Sequence, residues 1–136
     1  MDYAALKSEL TRDEARKPRL YQDTLGNWTG GIGHNFTAKP LSDRVIDLLY
    51  EEDSNAAVAD LDRSLPWWRT LSEARQRVLA NMCFNMGIGT LLEFKNTLKA
   101  IQEQRWSDAA QGMLNSKWAG QVGDRAHRLA KMMEQG

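Results

Sequence analysis

Two acidic residues near the start of the chain, Glu14 and Asp23, have the types and spacing to carry out chemistry. Pro18 disfavours helical geometry at the residue before it, so a helix that carries Glu14 should end close behind that residue. Backbone carbonyls at such a helix end favour the protonated form of a carboxyl group, as a general acid requires. Asp23 precedes a turn, where a carboxylate stays solvated and ionised. Two carboxyls in unlike environments are typical of glycoside hydrolysis.

A structural explanation of the same two residues must be weighed against the chemical one. Thr11 and Glu14 have the spacing of a capping box, in which the glutamate only reaches back to a backbone amide. Asp23, ahead of Thr24 and Gly26, is also an ordinary turn residue. Carboxylates at this spacing are common, so the spacing alone favours the structural explanation.

Residues 24–34 predict a β-hairpin that is rich in glycine. Gly30, Gly31 and Gly33 are poor strand formers, which indicates either a close approach of sugar rings to the backbone or a bulge without any ligand. Thr29 lies on the returning strand, where a turn at residues 25–26 would bring it within reach of a water molecule shared with Asp23. A threonine in a strand is more often structural, because it has a high β propensity.

Several separated motifs together resemble the T-even phage lysozyme family, glycoside hydrolase family 24. The match runs from about residue 9 to about residue 129, with the motifs in the family's order. Agreement of several motifs in order and spacing is more specific than any one of them. The matching residues are Glu14, Asp23-Thr24-x-Gly26, Trp28-Thr29-x-Gly31-Ile32-Gly33-His34, Asn81-Met82-x-Phe84-Asn85-Met86-Gly87, Arg105-Trp106-x-x-Ala109-Ala110, Ser116-Lys117-Trp118-x-x-Gln121 and Arg125-Ala126-x-Arg128.

The resemblance implies a muramidase that cleaves the β-1,4 bond between N-acetylmuramic acid and N-acetylglucosamine without a cofactor. It implies that Glu14 is the general acid and that Asp23 and Thr29 hold and activate the water molecule. An inverting mechanism needs room for this water, with the carboxyls roughly 6.5–9.5 Å apart. The resemblance also implies four substrate-binding residues: Phe84, Asn85, Lys117 and Gln121.

Three further residues are implied as structural support for the site. His34 matches a family histidine that forms an ion pair with an aspartate on the long helix, and Asp53 stands at that partner's position. Arg125 matches a residue that contacts the general acid, here Glu14. A neighbouring guanidinium favours the ionised carboxylate, whereas the helix end favours the protonated form, and the sequence does not decide between these effects.

The predicted fold class is α+β and mostly helical, a two-lobed lysozyme-like fold in one domain of 136 residues. We expect a small hairpin lobe at about 17–40, a lobe-joining helix at about 42–64 and a larger helical lobe at about 65–136. The N-terminal helix should pack against the helical lobe. Only 18 residues separate His34 from Asp53, fewer than in the phage relative, so the small lobe should lack a full third strand.

Charge and cysteine content limit the possible partners. The net charge is zero, with −4 on residues 1–68 and +4 on residues 69–136. A mildly basic half suits peptidoglycan, which carries carboxylates, better than nucleic acid.

Cys83 is the only cysteine and is predicted to be a buried core thiol, consistent with folding in a reducing cytoplasm. Two histidines and one cysteine are too few for a zinc site, so no metal is expected.

The start of the chain shows no signal peptide, and no segment approaches a membrane span. We therefore expect a monomer made in the host cytoplasm that reaches periplasmic peptidoglycan only after a phage holin opens the membrane. An alternative from another class is a murein- or chitin-binding module that keeps the fold with weak or no catalysis. A small helical nucleic-acid binder is disfavoured by the zero net charge.

Overall fold

The computed structural model describes residues 1–136 and divides into two compact units, 1–48 and 49–136. It contains eight α-helices, one 3-10 helix and a three-stranded antiparallel sheet. The predicted α+β, mostly helical lysozyme-like fold is confirmed. No helix combines the length and the hydropathy that crossing a membrane would need.

The first helix, α1 (Tyr3–Glu14), ends at the predicted general acid. Asp2 caps its start by accepting a hydrogen bond from the backbone N–H of Ala5 at 2.9 Å. Thr11 lies inside the helix and its hydroxyl donates to the carbonyl of Lys7, so the proposed capping box is wrong. The helix ends because Ala15 has a φ of 66°, outside the helical range.

The sheet contains β1 (Lys17–Gln22), β2 (Trp28–Gly31) and β3 (His34–Asn35), in that order. Tyr21 pairs with Thr29 and Lys17 with Gly31, so β1 uses more residues than β2 over the same stretch. The resulting bulge contains Pro18, which could not donate to a regular ladder. The third strand has only two residues, as the short segment after His34 predicted.

Helix α2 (Asp43–Ser64) begins in the first unit and continues into the second, with the predicted boundaries. The 3-10 helix Pro66–Thr70 follows it. Six further helices complete the second unit: α3 (Glu73–Met86), α4 (Ile88–Leu92), α5 (Lys95–Gln102), α6 (Trp106–Leu114), α7 (Lys117–Val122) and α8 (Asp124–Gln135).

Local capping signals predicted most but not all of these boundaries. Ser72 caps α3 and Ser116 caps α7 through their side chains, as hydroxyl caps do. Ser107 is also a residue type that predicts a helix cap, but this prediction is wrong, because α6 begins at Trp106 and its N-cap residue Arg105 has no side-chain cap bond. Gly87 ends α3 with a φ of 82°, but Gly89 lies inside the short helix α4, which was not predicted.

The apolar core lies in the second unit, where every buried apolar side chain is at residue 57 or later. The spacing of Val78, Leu79 and Met82 predicts a helix at the centre of this lobe, and the structure confirms it, because all three are almost fully buried on α3. Cys83 is also buried, as predicted, and desolvation, helped by Asp60, raises the pKa of its thiol.

Helix α1 belongs to the first unit and none of its side chains is buried. Its docking against the helical lobe stays a prediction.

Candidate active site

Glu14 lies against the glycine-rich hairpin of its own unit. A Cβ atom added at Gly33 would lie 2.8 Å from Glu14 Cγ and 2.9 Å from Glu14 Cδ. Gly33 also has a φ of 67°, which L-residues with side chains rarely adopt. The absence of a side chain at Gly33 therefore makes room for the carboxyl of the predicted acid, which is itself solvent-exposed.

The neighbouring glycine at position 30 has a different structural reason. A Cβ at Gly30 would lie 2.9 Å from Leu20 Cδ2 and 3.2 Å from Phe36 Cε2. The glycines of this hairpin are thus explained in part by the packing of side chains within the unit. A ligand is not needed to explain Gly30 or Gly33.

Asp23 accepts three hydrogen bonds at the hairpin turn. Its Oδ1 accepts from the backbone N–H groups of Leu25 at 2.9 Å and Asn27 at 2.8 Å, and its Oδ2 accepts from the side chain of Asn27 at 3.2 Å. The hydrogen bond from the Asn27 backbone is the main reason that the pKa of Asp23 lies below its usual value, although desolvation opposes it. Asp23 is therefore ionised at neutral pH, as expected from sequence.

Thr29 is the only catalytic candidate that is buried, with 6% of its surface exposed. Its hydroxyl donates to the carbonyl of Asn27 at 3.2 Å. Asp23 is hydrogen-bonded to Asn27 across the turn, and Tyr21 pairs with Thr29. Asp23 and Thr29 are thus both linked to Asn27, Asp23 through its carboxylate and Thr29 through its hydroxyl. A turn was predicted at residues 25–26; the bond from the N–H of Gly26 to the carbonyl of Asp23 makes Thr24 and Leu25 its central residues, one position earlier.

His34 lies in β3, opposite Gly30 of β2. Its Nε2 is 3.3 Å from the carbonyl oxygen of Lys39, and its ring meets Phe36 edge-on at 4.6 Å between centroids. The expected ion pair with Asp53 would join the two units, and it stays a prediction.

The second unit contains a groove of about 780 Å³, which we call the α7 groove. Lys117 and Gln121, both predicted to bind substrate, line it on α7. Trp118 lines it too, and its ring packs edge-on against Phe94 with the centroids 6.4 Å apart. The groove is also lined by Met86, Thr90, Glu93, Lys95, Asn96, Thr97, Gly112 and Ser116.

Asn85 and Phe84, the other two predicted substrate contacts, do not line this groove. The side-chain oxygen of Asn85 accepts a hydrogen bond from the indole N–H of Trp118 at 2.8 Å, which fixes the ring in the groove wall. Phe84 is 46% exposed and lines a separate shallow depression that includes Asp53 and Cys83.

Arg125 is held by α3. Its Nε and Nη2 donate to the side-chain oxygen of Asn81 at 2.9 and 2.7 Å. The two residues are 44 positions apart in the chain. The predicted contact of Arg125 with Glu14 joins different units and stays a prediction.

Several residues that shape the hairpin turn and the α7 groove were not predicted from the sequence. Asn27 holds Asp23, and a turn asparagine four residues after an aspartate was a local signal for it. Glu93, Phe94 and Thr97 enter the α7 groove through the packing of α4 and α5 near α7, for which no local signal exists. No group of three or more His, Cys, Asp or Glu side chains is arranged to hold a metal ion.

Comparison with known proteins identifies the family. The family model for phage lysozyme matches residues 11–133. This chain belongs to the phage lysozyme family. The suspected T-even phage lysozyme resemblance is thereby confirmed, and the protein is a hydrolase of the lysozyme class.

Relatives of this lysozyme-family chain come from a eukaryote and from phages. It is 30% identical to Probable T4-type lysozyme 2 of Dictyostelium discoideum, over 98% of this chain and 95% of the relative. It is 28% identical to the pre-baseplate central spike protein Gp5 of Enterobacteria phage T4, over 91% of this chain and 26% of that protein. It is 30% identical to peptidoglycan hydrolase gp36 of Pseudomonas phage phiKMV, over 93% of this chain and 15% of that protein.

Proposed function

We propose that this lysozyme-family protein is a muramidase that cleaves the β-1,4 bond between N-acetylmuramic acid and N-acetylglucosamine in peptidoglycan. Family membership supports peptidoglycan hydrolysis in general. The observation that carries the assignment of residues is the position of Glu14 against Gly33, in the hairpin that also holds Asp23 and Thr29. A proton donor and an ionised carboxylate are thus supplied by the same small unit.

In the proposed step, the Glu14 carboxyl transfers its proton to the glycosidic oxygen as the bond between that oxygen and C1 breaks. A water molecule held by Asp23 and Thr29 attacks C1 from the opposite face, and its proton passes to the Asp23 carboxylate. The configuration at C1 is inverted, because no covalent glycosyl-enzyme forms. Asp23 is ionised at neutral pH, as a proton acceptor must be at the start of the step, and its lowered pKa makes it better suited to orienting the water than to acting as a strong base.

The α7 groove supports the binding part of the proposal. Lys117 supplies a positive charge for the carboxylates of the peptidoglycan strand, and Gln121 supplies an amide that can bond to sugar or peptide groups. Asn85 acts through Trp118, and Phe84 offers an exposed ring for contact with a sugar. His34, Asp53 and Arg125 complete the proposal as structural support for the catalytic residues.

The proposed setting is lysis of a bacterial host. The enzyme would be made in the cytoplasm and act as a monomer on periplasmic peptidoglycan after a holin opens the inner membrane. Its relatives include a phage protein named as a peptidoglycan hydrolase and a phage protein named as a central spike, so a particle-bound setting is an alternative to a free one.

The deciding experiment replaces Glu14 by Gln, which keeps the shape of the side chain but removes its acidic proton. The variant should lose at least about 100-fold in the rate of clearing of chloroform-treated Gram-negative cells, because general acid catalysis contributes this much. Its circular dichroism and melting temperature should match those of the parent. Glu9→Gln is the control, since Glu9 is another exposed carboxylate on α1.

Near-normal clearing by the Glu14→Gln variant would contradict the assignment. Proton NMR of the first-formed product should show the inverted anomer, and the retained anomer would contradict the role of Asp23. Binding to peptidoglycan without release of reducing ends would identify a binding module in place of an enzyme.

A further inference from the structure

A second cavity in the helical unit shares no residue with the α7 groove. It has a volume of about 270 Å³ and is lined by Trp67, Arg75, Gln102, Gln104 and Trp106, together with a few neighbouring residues. We call it the tryptophan pocket. Its size suits a single sugar ring more than a larger ligand, and its lining mixes two indoles with five polar side chains, those of Thr70, Ser72, Arg75, Gln102 and Gln104.

The two indoles are only partly buried. Trp68, beside Trp67 in the chain, is 2% exposed and belongs to the core, whereas Trp67 and Trp106 keep part of their surface open. Core packing explains Trp68. Core packing does not require that the exposed parts of Trp67 and Trp106 border the same cavity. An indole has an apolar ring and a polar N–H, so it can contact a ligand that has both apolar and polar groups.

Arg75 gives the pocket a rigid wall. Its guanidinium lies 3.6 Å from the centre of the Trp106 ring, donates from Nε to the carbonyl of Met133 at 2.8 Å and donates from Nη2 to that of Glu134 at 3.0 Å. These bonds fix the indole and the guanidinium relative to α8. The wall is therefore organised before any ligand arrives, which lowers the entropic cost of binding.

Gln104 supports a role beyond packing. It has a φ of 61°, one of only two non-glycine residues in the chain with a positive φ. Gln104 follows the end of α5, where the N–H of Arg105 donates to the carbonyl of Ala100. Glycine would adopt the positive φ of position 104 with less strain. Strain at an exposed residue that lines a cavity is a reason to suspect a function for its side chain.

From these observations we propose that the tryptophan pocket binds an N-acetylhexosamine unit of a glycan strand, apart from the bond that is hydrolysed. The C–H face of the sugar would pack on the exposed indole surface, and the exposed amides of Gln102 and Gln104 would bond to its hydroxyl and acetamido groups. Only the choice of an acetamido sugar rests on the proposed function. Such a site would hold the enzyme on its polymer between cleavages.

The test is an NMR titration of the full chain carrying Glu14→Gln, which is not expected to cleave the probe. The probe is the tetramer of N-acetylglucosamine, and the five tryptophans give five indole N–H signals. The signals of Trp67 and Trp106 should shift together, with a dissociation constant of about 1 mM for a small open site. The signal of Trp118 reports the α7 groove separately.

Gln104→Gly separates binding from stability. It removes the amide but relieves the positive φ, so the variant should melt at the same temperature or higher while binding about three- to tenfold more weakly. Gln111→Ala, which removes an amide on α6 outside the pocket, should bind as the parent does.

Three results would overturn the proposal. The first is the absence of a shift at Trp67 and Trp106, and the second is unchanged affinity in the Gln104→Gly variant. The third is equal binding of the glucose tetramer that lacks acetamido groups, which would remove the assignment to N-acetylhexosamine. None of these results depends on whether Glu14→Gln abolishes lysis, so failure of the pocket and failure of the proposed muramidase activity are distinguishable.

Discussion

At the scale of single residues, the two carboxyls differ in how their neighbours hold them. Asp23 is fixed by N–H donors of its own turn, which favour its ionised form. Glu14 is positioned by the absence of a side chain at Gly33, 19 positions later in the chain. The support of Asp23 is therefore local in sequence, whereas that of Glu14 depends on the hairpin folding back to the end of α1.

Gly33→Ala tests this support. The added methyl would overlap Glu14 and displace its carboxyl, and a displacement of about 1 Å at a catalytic group can cost about 100-fold in kcat. Gly31→Ala is a matched control, because Gly31 also has a positive φ but has nothing within 4 Å of an added Cβ. Each variant should lose about 1–2 kcal/mol of stability from backbone strain.

Steady-state kinetics and urea unfolding measure the two effects separately. Equal kcat values in the Gly33→Ala and Gly31→Ala variants would show that the contact of Gly33 with Glu14 does not matter for catalysis.

At the scale of elements, the helical unit depends on close packing where two helices meet. A Cβ at Gly112 on α6 would overlap Thr97 Oγ1 on α5. This glycine sets the distance between the two helices, both of which contribute to the α7 groove. Their contact cannot be read from either helix alone.

Gly112→Ala should destabilise the protein by about 1–3 kcal/mol, the usual cost of overpacking a close contact. Gly120→Ala on α7 is the comparison, since nothing lies within 4 Å of its added Cβ. That variant should be stabilised by about 0.4–1 kcal/mol, because alanine restricts the unfolded chain and favours a helix. Urea unfolding of both variants checks the prediction, and a stable Gly112→Ala variant would contradict it.

Asp62 links the end of α2 to the 3-10 helix. It accepts hydrogen bonds from Arg69 Nε at 2.8 Å and from the indole N–H of Trp68 at 2.7 Å. The bond from Arg69 is the main reason that the pKa of Asp62 lies below its usual value. Because the folded pKa is below the unfolded one, the stabilisation is complete above the unfolded pKa of about 3.9 and is lost as the pH falls through the folded value.

Asp62→Asn should therefore lower the melting temperature at pH 7, and its difference from the parent should shrink below about pH 4. Asp60→Asn is the control, because the ion pair of Asp60 with Arg63 lies within a single helix. Melting curves at several pH values measure the effect. A pH-independent difference between Asp62→Asn and the parent would contradict it.

At the scale of the whole molecule, stability is unevenly distributed. All buried apolar side chains lie at residue 57 or later, whereas the unit with the proposed catalytic residues has almost no apolar core. Buried apolar surface is the main source of folding free energy, so the first unit should open at a lower free energy than α3 and α8.

Native-state hydrogen exchange tests this expectation. Backbone amides of α1 and of the β1–β2 pair should exchange with opening free energies well below that of global unfolding, whereas those of α3 should approach it. Protection factors in β2 equal to those in α3 would show that the two units unfold together.

The sequence by itself predicted much of the fold because the signals for it are local. Asp2, Ser72 and Ser116 cap helices, Pro18 indicates that α1 ends before it, Gly26 marks the turn of the hairpin, and the spacing of apolar residues identifies α3 as central. The position of Glu14 at a helix end followed from such a signal, whereas the family and the lysozyme-like fold followed from several separated motifs that agree in order and spacing. The missed helix α4 and the misplaced start of α6 lie where no side-chain cap marks the boundary.

The tertiary structure alone decided how the candidate site is supported. Gly33 makes room for Glu14, Asn81 holds Arg125, and Asn85 fixes Trp118 in the groove wall. Each of these contacts joins residues 19 to 44 positions apart. No capping or turn signal encodes such a contact, because it exists only when packing brings two separate elements together. The sequence specified which groups could react, and the packing of the chain determined what positions them.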